Sequence, residues 1–348
     1  MRSTLVPASL VLAIVACTSE QTPTEPGTPG DQVPAAPSFA LASNTWTAKA
    51  PLPSPSVPRL GVSAGVAPNA AGQSIVYIFG GEEGGPDAEG GTTFRIQAYN
   101  VATNTWTTKA PSTSRTRFNG IGKIGSKLYF SGGFQNDVHG QYSNELYAYD
   151  PAADRLISKR DAPKFTADGV TGVIGGKLYV IPGTCSGDGP AYCEVARIRA
   201  LYRYGAATNA WTKLARCPHF HKNGAGGVIN GKFYVVGGFN DFNGLAYLDV
   251  YDPATNTWRT LAPVPTPGRV IGAVLENKLF VIAGSGTGRR AYAYDPGTNT
   301  WKTRAAPKWD HDALVRVTLD GRPYLLAVGG YHGPNPSDIP NDSELYTP

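Results

Sequence analysis

The stretch Cys217-Pro-His-Phe-His221 places three metal-ligating side chains at alternate positions. Alternate residues of an extended segment point the same way. Cys217, His219 and His221 can therefore present one sulfur and two imidazole nitrogens together. That donor set suits zinc or copper. A complete site also needs a fourth group and partners behind the ligands, which the sequence does not name. No other pattern implies a cofactor: the chain lacks the G-x-S-x-G elbow, the phosphate-cradling G-x-x-x-x-G-K-[ST] loop and the H-E-x-x-H zinc motif. The glycine-rich acidic run at 81–91 matches no calcium-loop spacing and reads as a solvated loop. The remaining candidates for recognition are scattered cations and aromatics, Arg59, Arg117, Arg269, Trp309, His311 and Tyr331.

What positions them is a repeat. Six apolar runs close on glycine with a period near fifty residues: IVYIFGG (75–81), KLYFSGG (127–133), KLYVIPG (177–183), KFYVVGG (232–238), KLFVIAG (278–284) and YLLAVGG (324–330). Before each lies a shorter apolar strand and a tight polar turn such as Asn230-Gly231. After each, across a loop of variable length, come a third strand ending near Tyr-Asp-Pro and a fourth carrying Trp, as in VYDPATNTW (250–258). Asp-Pro opens a turn, and the Asn before the last strand tolerates the left-handed conformation that closes it. Four antiparallel strands repeated six times predict a β-propeller.

With its double glycine, spaced Tyr and Trp, the sequence resembles the kelch family over residues 43–348. The resemblance implies an all-β, six-bladed kelch-type propeller. Its departures are local: Pro182-Gly183 and Ala283-Gly284 replace Gly-Gly, and the second repeat has Leu156 where Trp is expected. SNTWTAKAPLP (43–53) matches TNTWRTLAPVP (255–265) but has no strands before it, while the last repeat stops at ELYTP (344–348). The N-terminal strand is thus expected to complete the sixth blade and close the ring, protecting sheet edges.

Residues 1–16 read as a signal peptide, with Arg2 followed by a short apolar run, and IVAC (14–17) resembles the lipobox of bacterial lipoproteins. The expectation is lipidation of Cys17, a Pro/Thr-rich tether over 17–42, and an extracytoplasmic location at the bacterial cell envelope, with membrane contact through the anchor alone. The net charge of +5 comes from basic residues scattered singly, which argues against a nucleic-acid footprint. An exported domain favours oxidised cysteines. Cys185 pairing with Cys193 inside one loop is the preferred disulfide, with Cys217 pairing to either as the alternative.

With strands a to d counted outward from the axis, the a–b and c–d turns are short and share one face. The irregular b–c and d–a loops share the other, and variable loops on a rigid scaffold are where function concentrates. All five histidines fall there, as do Arg59, Arg117, Arg269, Trp309 and Tyr331. The expected function is a monomeric module binding a protein or glycan through that face. The alternative is a sugar-acting enzyme, on the similarity to two propeller families: sialic acid mutarotase, which needs an acidic residue with an Arg, and galactose oxidase, whose copper site uses His and Tyr. Convergence of Arg59, Arg117, Arg269, His221 and His311 on one axial pocket would favour the alternative.

Overall fold

The a–b turns show why the inner strands fold back so tightly. Asn230 and Gly231 have φ of 49° and 74°, and even Glu276 and Asn277, with no glycine, are held at 50° and 57°. Two successive positive φ values match the right-handed twist of flanking strands in a two-residue hairpin.

The structure is a computed structural model that describes residues 43–53, 59–83, 95–111, 118–135, 141–183, 199–240, 243–330 and 342–348. Six four-stranded antiparallel sheets form the six blades of a propeller. Blade four runs Ala225–Ile229, Lys232–Val236, Leu248–Asp252, Thr257–Leu261. Blades one, two, three and five occupy 63–111, 121–158, 170–214 and 270–304. Blade six consists of Ala313–Leu319, Arg322–Val328 and Ser343–Thr347, with Thr45–Lys49 as its outer strand. Thr45 pairs with Thr347 and Lys49 with Ser343, so the N-terminal strand closes the ring. The signal, lipidation and tether expectations for residues 1–42 lie outside the described residues.

Apolar side chains fill the space between neighbouring sheets. Val76 and Ile78 of blade one pack with Leu326 and Leu345 of blade six, and Tyr234 and Val236 of blade four with Leu279 and Val281 of blade five. The inner strands crowd closely. A Cβ on Gly122 would sit 2.4 Å from Leu178 and 2.6 Å from Val173, so only glycine fits there.

A polar lock repeats at the periphery. Each c–d turn carries a residue at positive φ whose side-chain oxygen accepts the blade's Tyr hydroxyl: Tyr99–Asn104 at 2.6 Å, Tyr251–Asn256 at 2.8 Å, Tyr294–Asn299 at 2.7 Å, with Asp154 serving Tyr149. The same Asn oxygen takes a backbone N–H from the preceding blade, as Asn256 does from Ala215 at 3.0 Å. The outer-strand Trp then donates to that residue's carbonyl, Trp258 to Ala215 and Trp46 to Ala305. Trp is thus a hydrogen-bonding strap between blades as well as apolar filler. The basic residues at the a–b turns are also engaged: Lys127, Lys232 and Lys278 pair with the Asp of their own c–d turns.

Candidate functional site

The first residues of the innermost strands converge on the axis, where all six blades line a cavity of about 450 Å³. Its mouth on the loop face is stitched blade to blade. Asp312 accepts the Gly61 N–H at 2.7 Å and the Arg269 guanidinium at 2.5 Å, joining blades six, one and five. Asn223 N–H donates to the Asp168 carbonyl at 2.8 Å, and Asn119 accepts the Gly169 N–H at 3.1 Å, joining blades four, three and two. Asp168 and Asn223 both sit at positive φ, 57° and 55°, away from the tight turns. Arg269 keeps 44% of its side chain exposed beside the mouth.

Outside the mouth, two d–a loops are built on one plan. Ala215 and Ala305 each follow an outer strand, each strapped by Trp and Asn as above. Six residues on stand His221 and His311, 1% and 3% exposed. In each ring Nδ1 faces the carbonyl of the first glycine of the pair, Gly237 at 2.9 Å and Gly329 at 3.1 Å. Nε2 faces a carboxylate on the second residue of strand c, Asp249 at 3.1 Å and Glu344 at 2.9 Å. In each ring both nitrogens thus face a group that only accepts. The other blades have Gln97, Tyr147, Tyr202 and Tyr292 at this strand position; in blade five Tyr292 meets the hydroxyl of Thr266 at 2.9 Å instead.

The two plans then diverge. Glu344 takes backbone N–H bonds from Lys308 and Trp309 at 3.0 and 3.1 Å. In blade four Pro218 stands at the Lys308 position and has no N–H to give. Side chains fill in: His219 Nδ1 at 2.9 Å, Thr260 hydroxyl at 2.7 Å and the Cys217 thiol at 3.5 Å all reach the Asp249 carboxylate. Burial pushes the Asp249 carboxyl up, but bonds from His221 and Thr260, with His221's charge, outweigh it and hold it at about 2. Burial raises Glu344 too, and His311 with the Lys308 amide outweighs that and lowers it. The Cys217 thiol moves the other way, pushed well up by burial and then by the Asp249 charge.

Of the residues singled out in the sequence, Cys217 and His221 come together, with ligand atoms of Cys217, His221 and Asp249 all within 4.8 Å of one another. His219 is set apart from that group, on the carboxylate, stacked on Tyr247 at 3.5 Å and 8°. Arg269 lines the axial mouth. His221 and His311 do not converge there; they are buried in their own blades, so neither reaches the loop-face surface. Trp309 is half-buried with the Lys308 ammonium 4.5 Å over its ring. Arg59 opens a two-residue strand paired with Glu82–Glu83. Arg117, Tyr331, Cys185, Cys193 and Cys17 lie outside the described residues, and Cys217 is a free, buried thiol. Asp249 and Glu344 were not singled out. The signal for them is an acid two residues before the Tyr of strand c, where four other blades have Gln or Tyr.

The Kelch motif family model matches residues 222–265, which hold blade four. Kelch-like protein 15 of Danio rerio is 30% identical over 234 residues, covering 61% of this chain and 37% of that protein. Kelch-like protein terF of Aspergillus terreus is 25% identical over 222 residues, covering 62% and 48%. The chain is a kelch-repeat β-propeller. Kelch-like protein 23 of Homo sapiens is similar at 26% identity over 248 residues, covering 70% of this kelch chain and 39% of that protein. The matches thus span less than half the length of these relatives. The solved structure of YjhT matches 84% of the kelch chain and 95% of its own, with a TM-score of 0.61 and 17% identity, a likeness of fold.

Proposed function

We propose that this kelch propeller is a binding module that recognises a protein or glycan partner through its b–c/d–a face. The observation that carries this reading is the Tyr247–His219 stack on that face, with Tyr247 41% exposed. Around the same face stand Arg269 at the axial mouth and Lys308 over Trp309. Tyr, Trp and Arg are the side chains that dominate binding energy at interfaces, because they offer large area with a polar handle. We further propose that the module works at the bacterial cell envelope, held by lipid on Cys17. The short apolar run and the IVAC sequence support that placement.

The test is a glycan array and a protein interaction screen with the full chain, repeated with Tyr247→Ala and Lys308→Glu. The reading expects one ligand class to lose at least tenfold in affinity with both variants while their melting temperatures stay close to wild type. Undiminished binding by both would contradict it.

The axial cavity favours one second reading, a sugar-acting enzyme. Its volume of about 450 Å³ is in the range that encloses small ligands, and Arg269 and Asp312 at its mouth are the acid and cation such chemistry needs. Monosaccharide binding lost on Asp312→Asn, with no macromolecular ligand found, would replace the first reading with this one.

A further inference from the structure

We propose that Cys217, His221 and Asp249 hold a divalent transition ion of the zinc type in blade four, with His219 as the residue that orients the carboxylate. The blade-six loop is the internal comparison. It has the same imidazole, the same glycine carbonyl and a carboxylate at the same strand position, with Pro307 and Trp309 where blade four has Cys217 and His219. In blade six the backbone N–H groups of Lys308 and Trp309 hold that carboxylate. The additional donors in blade four are a thiol and a second imidazole, both turned toward the carboxylate.

The spacing fits an ion. Metal–ligand bonds of about 2.0–2.3 Å at tetrahedral angles place neighbouring donor atoms about 3.3–3.6 Å apart. Nε2 of His221 lies 3.1 Å, and Sγ of Cys217 3.5 Å, from the same Asp249 oxygen. Three protein donors leave one position of a four-coordinate ion open.

The partners that a metal site needs behind its ligands are also in place. The Gly237 carbonyl takes the Nδ1 proton of His221, which leaves Nε2 as the coordinating nitrogen. His219 and the Thr260 hydroxyl fix the Asp249 carboxylate. The backbone N–H of His219 donates to the Cys217 sulfur. Sulfur, nitrogen and carboxylate together select zinc or its analogues over calcium or magnesium, which want oxygen alone. Binding is balanced by release of the proton of the Cys217 thiol, so affinity rises with pH.

The experiment is titration of the reduced full chain with Co(II), followed by dialysis, metal analysis and near-ultraviolet absorption. One retained equivalent with a thiolate-to-cobalt charge-transfer band is expected, displaced by Zn(II). Cys217→Ser should abolish the band, and His221→Gln and Asp249→Asn should each weaken retention at least tenfold. His311→Gln, in the blade-six pair, should leave retention and band unchanged. Because the two blade-four variants also lose a buried pair, Cys217→Ser at unchanged melting temperature decides the matter. A folded wild-type chain that shows no such band, or a Cys217→Ser variant that keeps it, would overturn the proposal.

Discussion

His311 and Glu344 show what a buried imidazole–carboxylate pair does in a d–a loop. The ring crosses from the Gly329 carbonyl at the end of strand b to the carboxylate on strand c, and it pins the d–a loop over both. Removing one partner of such a pair strands the other without its counter-charge, which costs about 3–5 kcal/mol. His311→Ala should therefore lose that much by chemical denaturation at neutral pH, and Glu344→Gln should lose less because Gln still accepts the Lys308 and Trp309 amides. Asp249 makes an acid-side prediction. Its carboxyl is depressed from 3.8 to about 2, so its contribution is complete above the unfolded value and disappears as pH falls through the folded one. Over that window wild type should lose about 2–3 kcal/mol from this group, at about 1.4 kcal/mol per pH unit. Asp249→Asn should flatten the wild-type slope between pH about 4 and about 2 in a series of denaturation curves.

At the scale of the element, the c–d turn does more than reverse the chain. Asn256 holds φ at 54° while its oxygen accepts both Tyr251 and the Ala215 amide of the preceding blade. Asn256→Gly keeps the backbone but forfeits both bonds, and should cost about 1–3 kcal/mol in unfolding free energy. Asn256→Ala should cost more, because Ala also resists positive φ. Equal stability of both variants and wild type would show that the turn is held by its backbone alone. Much of this element was legible in the sequence. Asp-Pro, the Asn before the outer strand, the paired glycines and the Trp recur in register, because each answers a local backbone or packing demand that every blade shares. The blade-to-blade bonds of Asn and Trp were not legible, since they join residues 37 or more apart. The depth of His221 and His311 was hidden for a similar reason. Polar residues in loops suggest exposure, and the loop folds back over its own blade only because an acid waits on strand c.

The whole molecule depends on Thr45–Lys49 completing blade six. Deleting 43–50 would remove Trp46 and its bond to Ala305, take the Asn44 oxygen from Tyr346, and expose the edge of Ser343–Thr347. Its melting temperature should fall by well over 5 °C, whereas deletion of 18–38 should change it little. Equal melting temperatures for the two would contradict closure by this strand. The central claim concerns faces. Pro348 follows the strand that pairs with Thr45, on the face of the short turns, whereas Tyr247 and Arg269 stand on the opposite, loop face. The most direct measurement compares partner affinity for two bulky adducts, one fused after Pro348 and one coupled to Cys at position 247 in Tyr247→Cys. Binding retained with the first and lost with the second is the predicted result. Binding blocked by the Pro348 fusion and untouched by the adduct at 247 would place recognition on the other face and contradict the account.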